Sequence, residues 1–140
     1  MDDRVMDAEG DLDGVDTQEA GVEDVFIGYR DGFDDFDGEA IADCFLYPAT
    51  IWQFGRGNVF ADRDELMENV EALLSVLERE EIVRSDFDIV DIVVEGTCAF
   101  AVLDWRQERE DGEEALSFRC HYTLVLTEGD DWRIVTVVND

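Results

Sequence analysis

Residues 97–139 read TCAFAVLDWRQEREDGEEALSFRCHYTLVLTEGDDWRIVTVVN, and this stretch decides the fold. Alternating apolar and polar positions, rich in aromatic and β-branched side chains, predict strands at about 97–109, 114–127 and 132–139. The turn signals DG and EGDD separate them, and EG separates the first of them from another predicted strand at 82–95. Strands joined by such short turns pair as an antiparallel meander of four strands.

The Asp-Gly pair at 111–112 also predicts the strand register. With these as the two turn residues, Trp105 faces Phe118 and Asp104 faces Arg119, which pairs rings with rings and opposite charges with each other. Since side chains alternate between the faces of a sheet, one face becomes largely apolar and is the surface for helices to cover. This inner face carries Ala99, Ala101, Leu103, Trp105, Leu116, Phe118, Cys120, Tyr122 and Leu124.

The opposite, outer face is apolar as well. It carries Phe100, Val102, Thr123 and Val125. An exposed apolar face of this size indicates an interface, and a symmetric homodimer through the outer face would bury it. The single histidine, His121, opposes Val102 on this face, so we expect it to have a structural or dimer-contact role.

The first half of the chain predicts three helices and a short hairpin. Residues 1–16 are acidic and lack apolar periodicity, so we expect a mobile tail ahead of a domain at 17–140. Helical spacing of apolar residues predicts a long helix that begins near a capping box at Asp16, and a short one at 39–45. A hairpin follows, and a third helix begins at a second capping box, Asp62 with Glu65, and continues to about residue 80.

The charge of the chain is extreme. It contains 38 Asp and Glu residues against 10 basic residues, all of them Arg, for a formal charge of −28. Like charges at this density destabilise a compact state unless salt screens them. The composition therefore indicates a halophilic protein, in which any single surface carboxylate is explained as part of a solvated coat.

Composition also excludes several classes of function. Nucleic acids and anionic membranes bind chiefly through Lys and Arg clusters, and the sequence contains none. No apolar run approaches the roughly 18 residues of a membrane span, and the first residues lack the pattern of a signal peptide. Three cysteines without a CxxC pair, Cys44, Cys98 and Cys120, are typical of reduced thiols. We expect a cytoplasmic protein.

Three local sequences carry a family resemblance: FDGEAIADCF at 36–45, GRGNVFADRDEL at 55–66 and DDWRIV at 130–135. With the order of the elements, they resemble the SnoaL-like members of the nuclear-transport-factor-2-like superfamily over residues 17–140. The resemblance implies an α+β fold in which three helices of the N-terminal half pack on a strongly curved mixed or antiparallel sheet, giving a cone-like barrel. It also implies an apolar pocket at the open end and frequent dimerisation. Members include isomerases, polyketide cyclases, dehydratases and non-catalytic binders, so the fold alone does not define the chemistry.

Catalytic candidates are few. A lone histidine excludes most hydrolytic triads and zinc sites, and we expect neither a metal nor a cofactor. In ketosteroid-isomerase-like relatives the general base is a carboxylate on the first strand, whereas the matching position here is Gln53. If Glu95 and Gly96 form a two-residue turn, Asp88 and Asp86 face inward, where burial could raise a carboxyl pKa for acid–base catalysis. Solvated surface carboxylates are the alternative for both.

A pocket can be assembled from the aromatic residues and the extended register. Continuing that register through Gly129 and Asp130 places Asn139 beside Cys120. The predicted pocket residues are Tyr29, Phe33, Tyr47, Trp52, Trp105, Cys120, Tyr122 and Asn139. They suggest a small apolar or amphipathic ligand, although core packing explains many of them equally well. The two hypotheses are a ligand-binding domain that includes a cofactor-free isomerase or cyclase, and a non-catalytic dimer that binds a ligand or another protein.

The charge predicts a dependence of stability on salt. Lowering NaCl from about 1 M to about 0.1 M lengthens the Debye screening distance from about 3 Å to about 10 Å. The melting temperature, followed by circular dichroism, should fall because carboxylate repulsion is no longer screened. Equal melting temperatures at both salt concentrations would refute the halophilic interpretation.

Overall fold

The computed structural model describes the backbone of residues 4–140 and the side chains of residues 17–140. Three helices and six strands follow one another in the predicted order. They are α1 (Arg4–Asp34), α2 (Gly38–Ala42), β1 (Phe45–Gln53), β2 (Arg56–Phe60), α3 (Arg63–Arg79), β3 (Ile82–Glu95), β4 (Cys98–Arg109), β5 (Glu114–Leu126) and β6 (Trp132–Asn139).

All six strands form one mixed sheet. Its order is β2-β1-β6-β5-β4-β3. The last four strands pair antiparallel in sequence, which confirms the predicted meander. Strand β1 pairs antiparallel with β2 and parallel with β6, and so joins the hairpin to the meander. The predicted α+β class, with helices packed on a mixed sheet, is confirmed.

The core lies between the inner face and the helices. Trp105 pairs with Phe118 and Asp104 with Arg119, which confirms the register predicted for β4 and β5. The inner residues of these strands are buried except near the β4–β5 turn, where Leu116 is 52% exposed. Helix α1 covers them, and the ring of Phe26 lies 4.7 Å from that of Tyr122.

The ends of the helices agree only partly with the predicted ends. Helix α1 is assigned from Arg4, so the structure does not begin it at the predicted cap, Asp16. The predicted mobility of residues 1–16 stays a prediction, because residues 1–3 and the side chains of 4–16 lie outside the described part of the chain. Asp37 caps α2 by accepting a hydrogen bond from the backbone N–H of Ala40 at 3.1 Å. Within the described residues, no helix is long and apolar enough to cross a membrane.

Strand β3 departs from the predicted register. Glu95 pairs with Cys98, so the turn consists of Gly96 and Thr97, and a bulge interrupts the pairing between Ile89 and Asp91. The β3–β4 turn thus lies one residue later than predicted, which shifts the pairing of β3 with β4 by two residues. A shift of two residues leaves each side chain of β3 on its predicted face of the sheet. The bulge adds a single residue to one strand, and therefore exchanges the two faces of β3 before it.

The bulge reverses the placement of two carboxylates. Asp88 pairs with Asp104 and Asp86 with Arg106, on the outer face. Phe87 takes the inner position opposite Trp105, with the ring centroids 5.1 Å apart. The prediction that Asp86 and Asp88 face inward is therefore wrong, because an even alternation was assumed across a strand that contains a bulge.

The cap of α3 gives a test of the fold. Asp62 accepts a hydrogen bond from the N–H of Glu65 at 3.0 Å, and Glu65 accepts one from the N–H of Ala61 at 2.8 Å. Asp62→Ala should lower the free energy of unfolding by about 1 kcal/mol, measured by urea denaturation. Asp64→Ala removes the same charge from the same turn without removing the cap and serves as the control. Equal losses in the two variants would contradict a specific capping role.

Candidate functional site

A cavity of about 330 Å³ opens on the inner face of the sheet. Helices α1 and α3 and strands β1, β4, β5 and β6 all contribute to its wall. The lining residues are Tyr29, Phe33, Phe45, Ile51, Gln53, Phe54, Leu66, Asn69, Val70, Leu73, Trp105, Gln107, Leu116, Phe118, Cys120, Tyr122, Val137, Asn139 and Asp140. Its size is at the small end of the range of roughly 300–1,000 Å³ that is typical of small-molecule pockets.

Six of the predicted pocket residues line this cavity: Tyr29, Phe33, Trp105, Cys120, Tyr122 and Asn139. Tyr47 does not, and its hydroxyl donates to the carbonyl of Ala42 at 2.9 Å instead. Trp52 does not either, because Ile51 and Gln53 take the inward positions of β1 and alternation turns Trp52 outward. Its ring packs over Gly57, where an added Cβ would lie 2.7 Å from the indole.

Tyr29 presents a desolvated hydroxyl at the cavity. Its side chain is partly exposed and belongs to the cavity lining. Burial, with smaller contributions from the nearby Cys120 and Cys44, raises the pKa of the phenol far above its usual range. No side chain or backbone group in the described part of the structure hydrogen-bonds this hydroxyl. A buried polar group without a partner is uncommon in folded proteins, so the Tyr29 O–H is a donor that a ligand can use.

A hydrogen-bonded chain lies beside Tyr29. The indole Nε1 of Trp105 donates to the hydroxyl of Tyr122 at 2.9 Å. The Tyr122 hydroxyl also interacts with the thiol of Cys120, on the same face of β5. Burial raises the pKa of Cys120 to about 11 and raises that of Tyr122 well above its usual value. Both groups are therefore neutral at pH 7, and neither is poised as a base or nucleophile.

Amide side chains supply most of the remaining polar surface. They belong to Gln53, Asn69, Gln107 and Asn139. Gln107 is held by the hydroxyl of Ser85, to which its Nε2 donates at 3.4 Å. Asn139 pairs with Cys120, as the extended register predicted. Because an amide both donates and accepts, these residues can bind a polar ligand without adding charge.

One carboxylate belongs to the described lining, that of Asp140. Its Oδ2 lies 3.1 Å from Nε2 of His121, which belongs to the outer face of β5. The side chain of Asp140 is 67% exposed, so water screens this carboxylate. The interior of the cavity is consequently neutral.

The predicted catalytic carboxylates lie elsewhere. Arg106 contacts Asp88 at 2.6 Å and Asp86 at 3.5 Å, and Arg30 contacts Asp86 at 3.5 Å. The side chains of Asp86 and Asp88 are 46% and 70% exposed. They form solvated ion pairs outside the cavity, so the structure does not place them as its acid or base.

Several lining residues were absent from the predicted pocket. Gln107 follows Trp105 by two positions, so alternation alone indicates that it shares the inner face. Leu66, Val70 and Leu73 belong to the apolar stripe of α3, whose contact with this part of the sheet no local pattern reveals. Phe54 lies in a turn, where the sequence offers no signal for a cavity.

Comparisons with known proteins agree with this architecture. Residues 18–140 match the model of the family described as NTF2-like protein (DUF6841). No curated protein matches the chain. An NTF2-like protein with a cystatin-like fold from Novosphingobium aromaticivorans superimposes with a TM-score of 0.76 at 16% identity, covering 96% of this chain and 86% of that one.

Two further similar structures have names that refer to enzymes. A ketosteroid isomerase-like protein from Erwinia carotovora atroseptica has a TM-score of 0.66 at 20% identity, covering 86% of this chain and 92% of that one. A protein from Streptomyces avermitilis, whose name suggests a dehydratase of the NTF2-like family, has a TM-score of 0.67 at 14% identity, covering 89% and 95%. Likeness at these identities shows the fold alone. Since the family model spans nearly the whole domain, the chain belongs to the NTF2-like proteins of the family DUF6841.

Proposed function

We propose that this domain binds an uncharged, largely apolar small molecule that carries a hydrogen-bond acceptor, and that it does so without turnover. The observation that supports this most directly is the Tyr29 hydroxyl, which lies desolvated at an aromatic cavity of about 330 Å³. A ligand carbonyl or hydroxyl oxygen would supply the partner that this donor lacks among the described residues.

Charge supports an uncharged ligand. The chain carries a formal charge of −28, which repels anions at low ionic strength. Apart from the Asp140 carboxylate, which is exposed and lies beside His121, the described polar groups of the lining are phenols, an indole, a thiol and amides, and none of these carries a charge. Moving an unpaired ion into such an environment is costly, whereas an apolar body with one neutral polar group matches it.

The same groups argue against acid–base catalysis. Proton abstraction near pH 7 needs a base whose pKa lies near that pH. Cys120, Tyr29 and Tyr122 titrate far above it, and the Asp140 carboxylate is exposed and paired with His121. Two similar structures are named after an isomerase and a dehydratase. In this chain, the position expected for an isomerase base is occupied by Gln53, an amide.

Binding can be tested with a matched pair of ligands in molar salt. Acetylnaphthalene carries a carbonyl acceptor, and ethylnaphthalene is a hydrocarbon of similar shape. Tyr29→Phe removes only the hydroxyl, so it should weaken binding of the ketone by about fivefold relative to the hydrocarbon, the factor that one net hydrogen bond contributes. Affinities would be measured by isothermal titration calorimetry.

Tyr47→Phe is the control for this experiment, because the Tyr47 hydroxyl bonds Ala42 away from the cavity. It should leave the ketone-to-hydrocarbon ratio unchanged. The binding proposal fails if neither ligand binds the parent protein. The role of Tyr29 fails if its variant keeps the parent ratio.

We also propose that the domain forms a homodimer through the outer face of the sheet. One outer row crosses all six strands and contains, in sheet order, Val59, Thr50, Thr136, Thr123, Phe100 and Val93. It carries no charge, although the surface as a whole is strongly acidic. Val59, Phe100 and Val93 are 67%, 50% and 44% exposed, and with the three threonines between them they leave an uncharged, partly apolar row for a second copy to cover.

Phe100→Asp tests the dimer. Because the ring is already half exposed, the substitution should preserve the fold while placing two carboxylates across the symmetric contact. Light scattering in molar salt should give the mass of a dimer for the parent and of a monomer for the variant. Val76→Asp, at a position of α3 that is 39% exposed, should remain dimeric. A monomeric parent would refute the proposal.

Other expectations remain predictions of the sequence. They are the SnoaL-like subtype, the halophilic origin and the cytoplasmic location.

A further inference from the structure

Three exposed apolar side chains surround the opening of the cavity. They are Phe54 in the β1–β2 turn, Leu116 on β5 and Leu73 on α3, and all three also line the cavity. Their exposures are 92%, 52% and 38%, respectively. Three separate elements therefore place apolar surface at one mouth, so this rim is continuous with the interior and not a scattered set of exposed residues.

Phe54 is an unusual residue for its backbone position. Phe54 and Gly55 are the two central residues of the turn, since Gln53 pairs with Arg56, and their φ angles are +56° and +73°. Two successive positive φ values are those of a type I′ turn, which favours Asn or Gly at the first position because a bulky side chain is strained there. Local conformation thus disfavours Phe54, and its exposed ring gains little from burial. Residues held against their backbone preference cluster at functional sites, and Phe54 is the one among the four non-glycine residues of positive φ in the described chain that lines the cavity.

We propose that Phe54, Leu73 and Leu116 form an external subsite that holds the apolar end of an elongated ligand whose polar end reaches Tyr29. This rests on the proposed ligand-binding function and specifies the class of ligand as a neutral amphiphile longer than the cavity. The polar end enters first, because the partnerless donor lies inside, and the chain leaves through the mouth. The rim then removes from water the methylene groups that extend beyond the buried part of the cavity.

The rim and the outer face are separate surfaces. Phe54 and Leu116 line the cavity, on the inner side of the sheet, whereas Val59 and Phe100 lie in the outer row. A second copy on the outer face would leave the mouth open. The ligand's own chain is therefore the occupant that accounts for an apolar rim continuous with the cavity.

The test uses linear alcohols from n-hexanol to n-dodecanol. Each would displace the neutral fluorophore N-phenylnaphthylamine from the cavity in molar salt. Burial of one methylene strengthens binding about fourfold. In the parent protein the affinity should continue to rise along the whole series, because methylenes beyond the cavity contact the rim.

Two variants remove parts of the rim. Phe54→Asn deletes the ring and installs Asn-Gly, the preferred type I′ sequence, so its melting temperature should not fall. Leu116→Thr removes most of the apolar side chain and introduces a β-branched residue, which strands favour. In both, the affinity ratio of n-dodecanol to n-hexanol should fall by about tenfold or more relative to the parent, the contribution of two or more methylenes. Val83→Thr, at an exposed position of β3 outside both the cavity and the outer row, should behave like the parent.

The outcomes separate the two proposals. If no alcohol displaces the fluorophore from the parent, the ligand-binding function itself fails. If n-hexanol binds but the affinity stops rising at the same chain length in parent and variants, the cavity binds ligands and the external subsite is refuted. Equal weakening of all chain lengths by Phe54→Asn would also overturn the subsite, because it would indicate a change in the cavity.

Discussion

Coverage of the inner sheet face by α1 is the constraint on which the rest of the structure depends. Phe26 packs on the ring of Tyr122, and Tyr122 in turn accepts the indole hydrogen bond of Trp105. A buried side chain of this kind contributes roughly 1.5–3 kcal/mol, so the sheet cannot leave several of them in water. The indole and phenol polar groups satisfy one another, which allows both rings to be buried. The cavity lies where Tyr29 and Phe33 of α1 and Leu66 and Val70 of α3 reach the sheet without filling the space between them.

One bulge in β3 determines the electrostatic character of this interior. It places Phe87 against Trp105 and turns Asp86 and Asp88 toward Arg106 on the outer face. Without the extra residue, two carboxylates would face the buried rings, and each would need a partner or a proton. With it, the interior is aromatic and neutral, and the acidic residues remain in water. This neutral interior supports the proposal that the cavity takes up an uncharged molecule.

Two uncharged regions stand out on the acidic surface, the outer row and the rim of the cavity, and they are built from different parts of the fold. The outer row crosses all six strands, and we propose that a second copy covers it. The rim at the mouth is built from a turn, a strand and a helix around an opening. Its most exposed member, Phe54, occupies a turn position that favours Asn or Gly. Part of the exposed apolar surface of this chain of charge −28 therefore lies in the two regions for which we propose binding roles.

The sequence by itself determined the order of the elements, the antiparallel meander and the β4–β5 register, because side-chain alternation and turn chemistry are local properties. It also indicated Trp105, Cys120 and Tyr122 as inner-face residues, since these follow from one correctly placed turn. Only the tertiary structure decided which face of the sheet each β3 side chain occupies, because a bulge exchanges the two faces and no residue near Val90 indicates a bulge. It also decided which α3 residues line the same cavity as Tyr29, and that Phe54 belongs to this lining as well. These contacts join residues far apart in the chain, and their placement depends on how the helices cover the sheet as a whole.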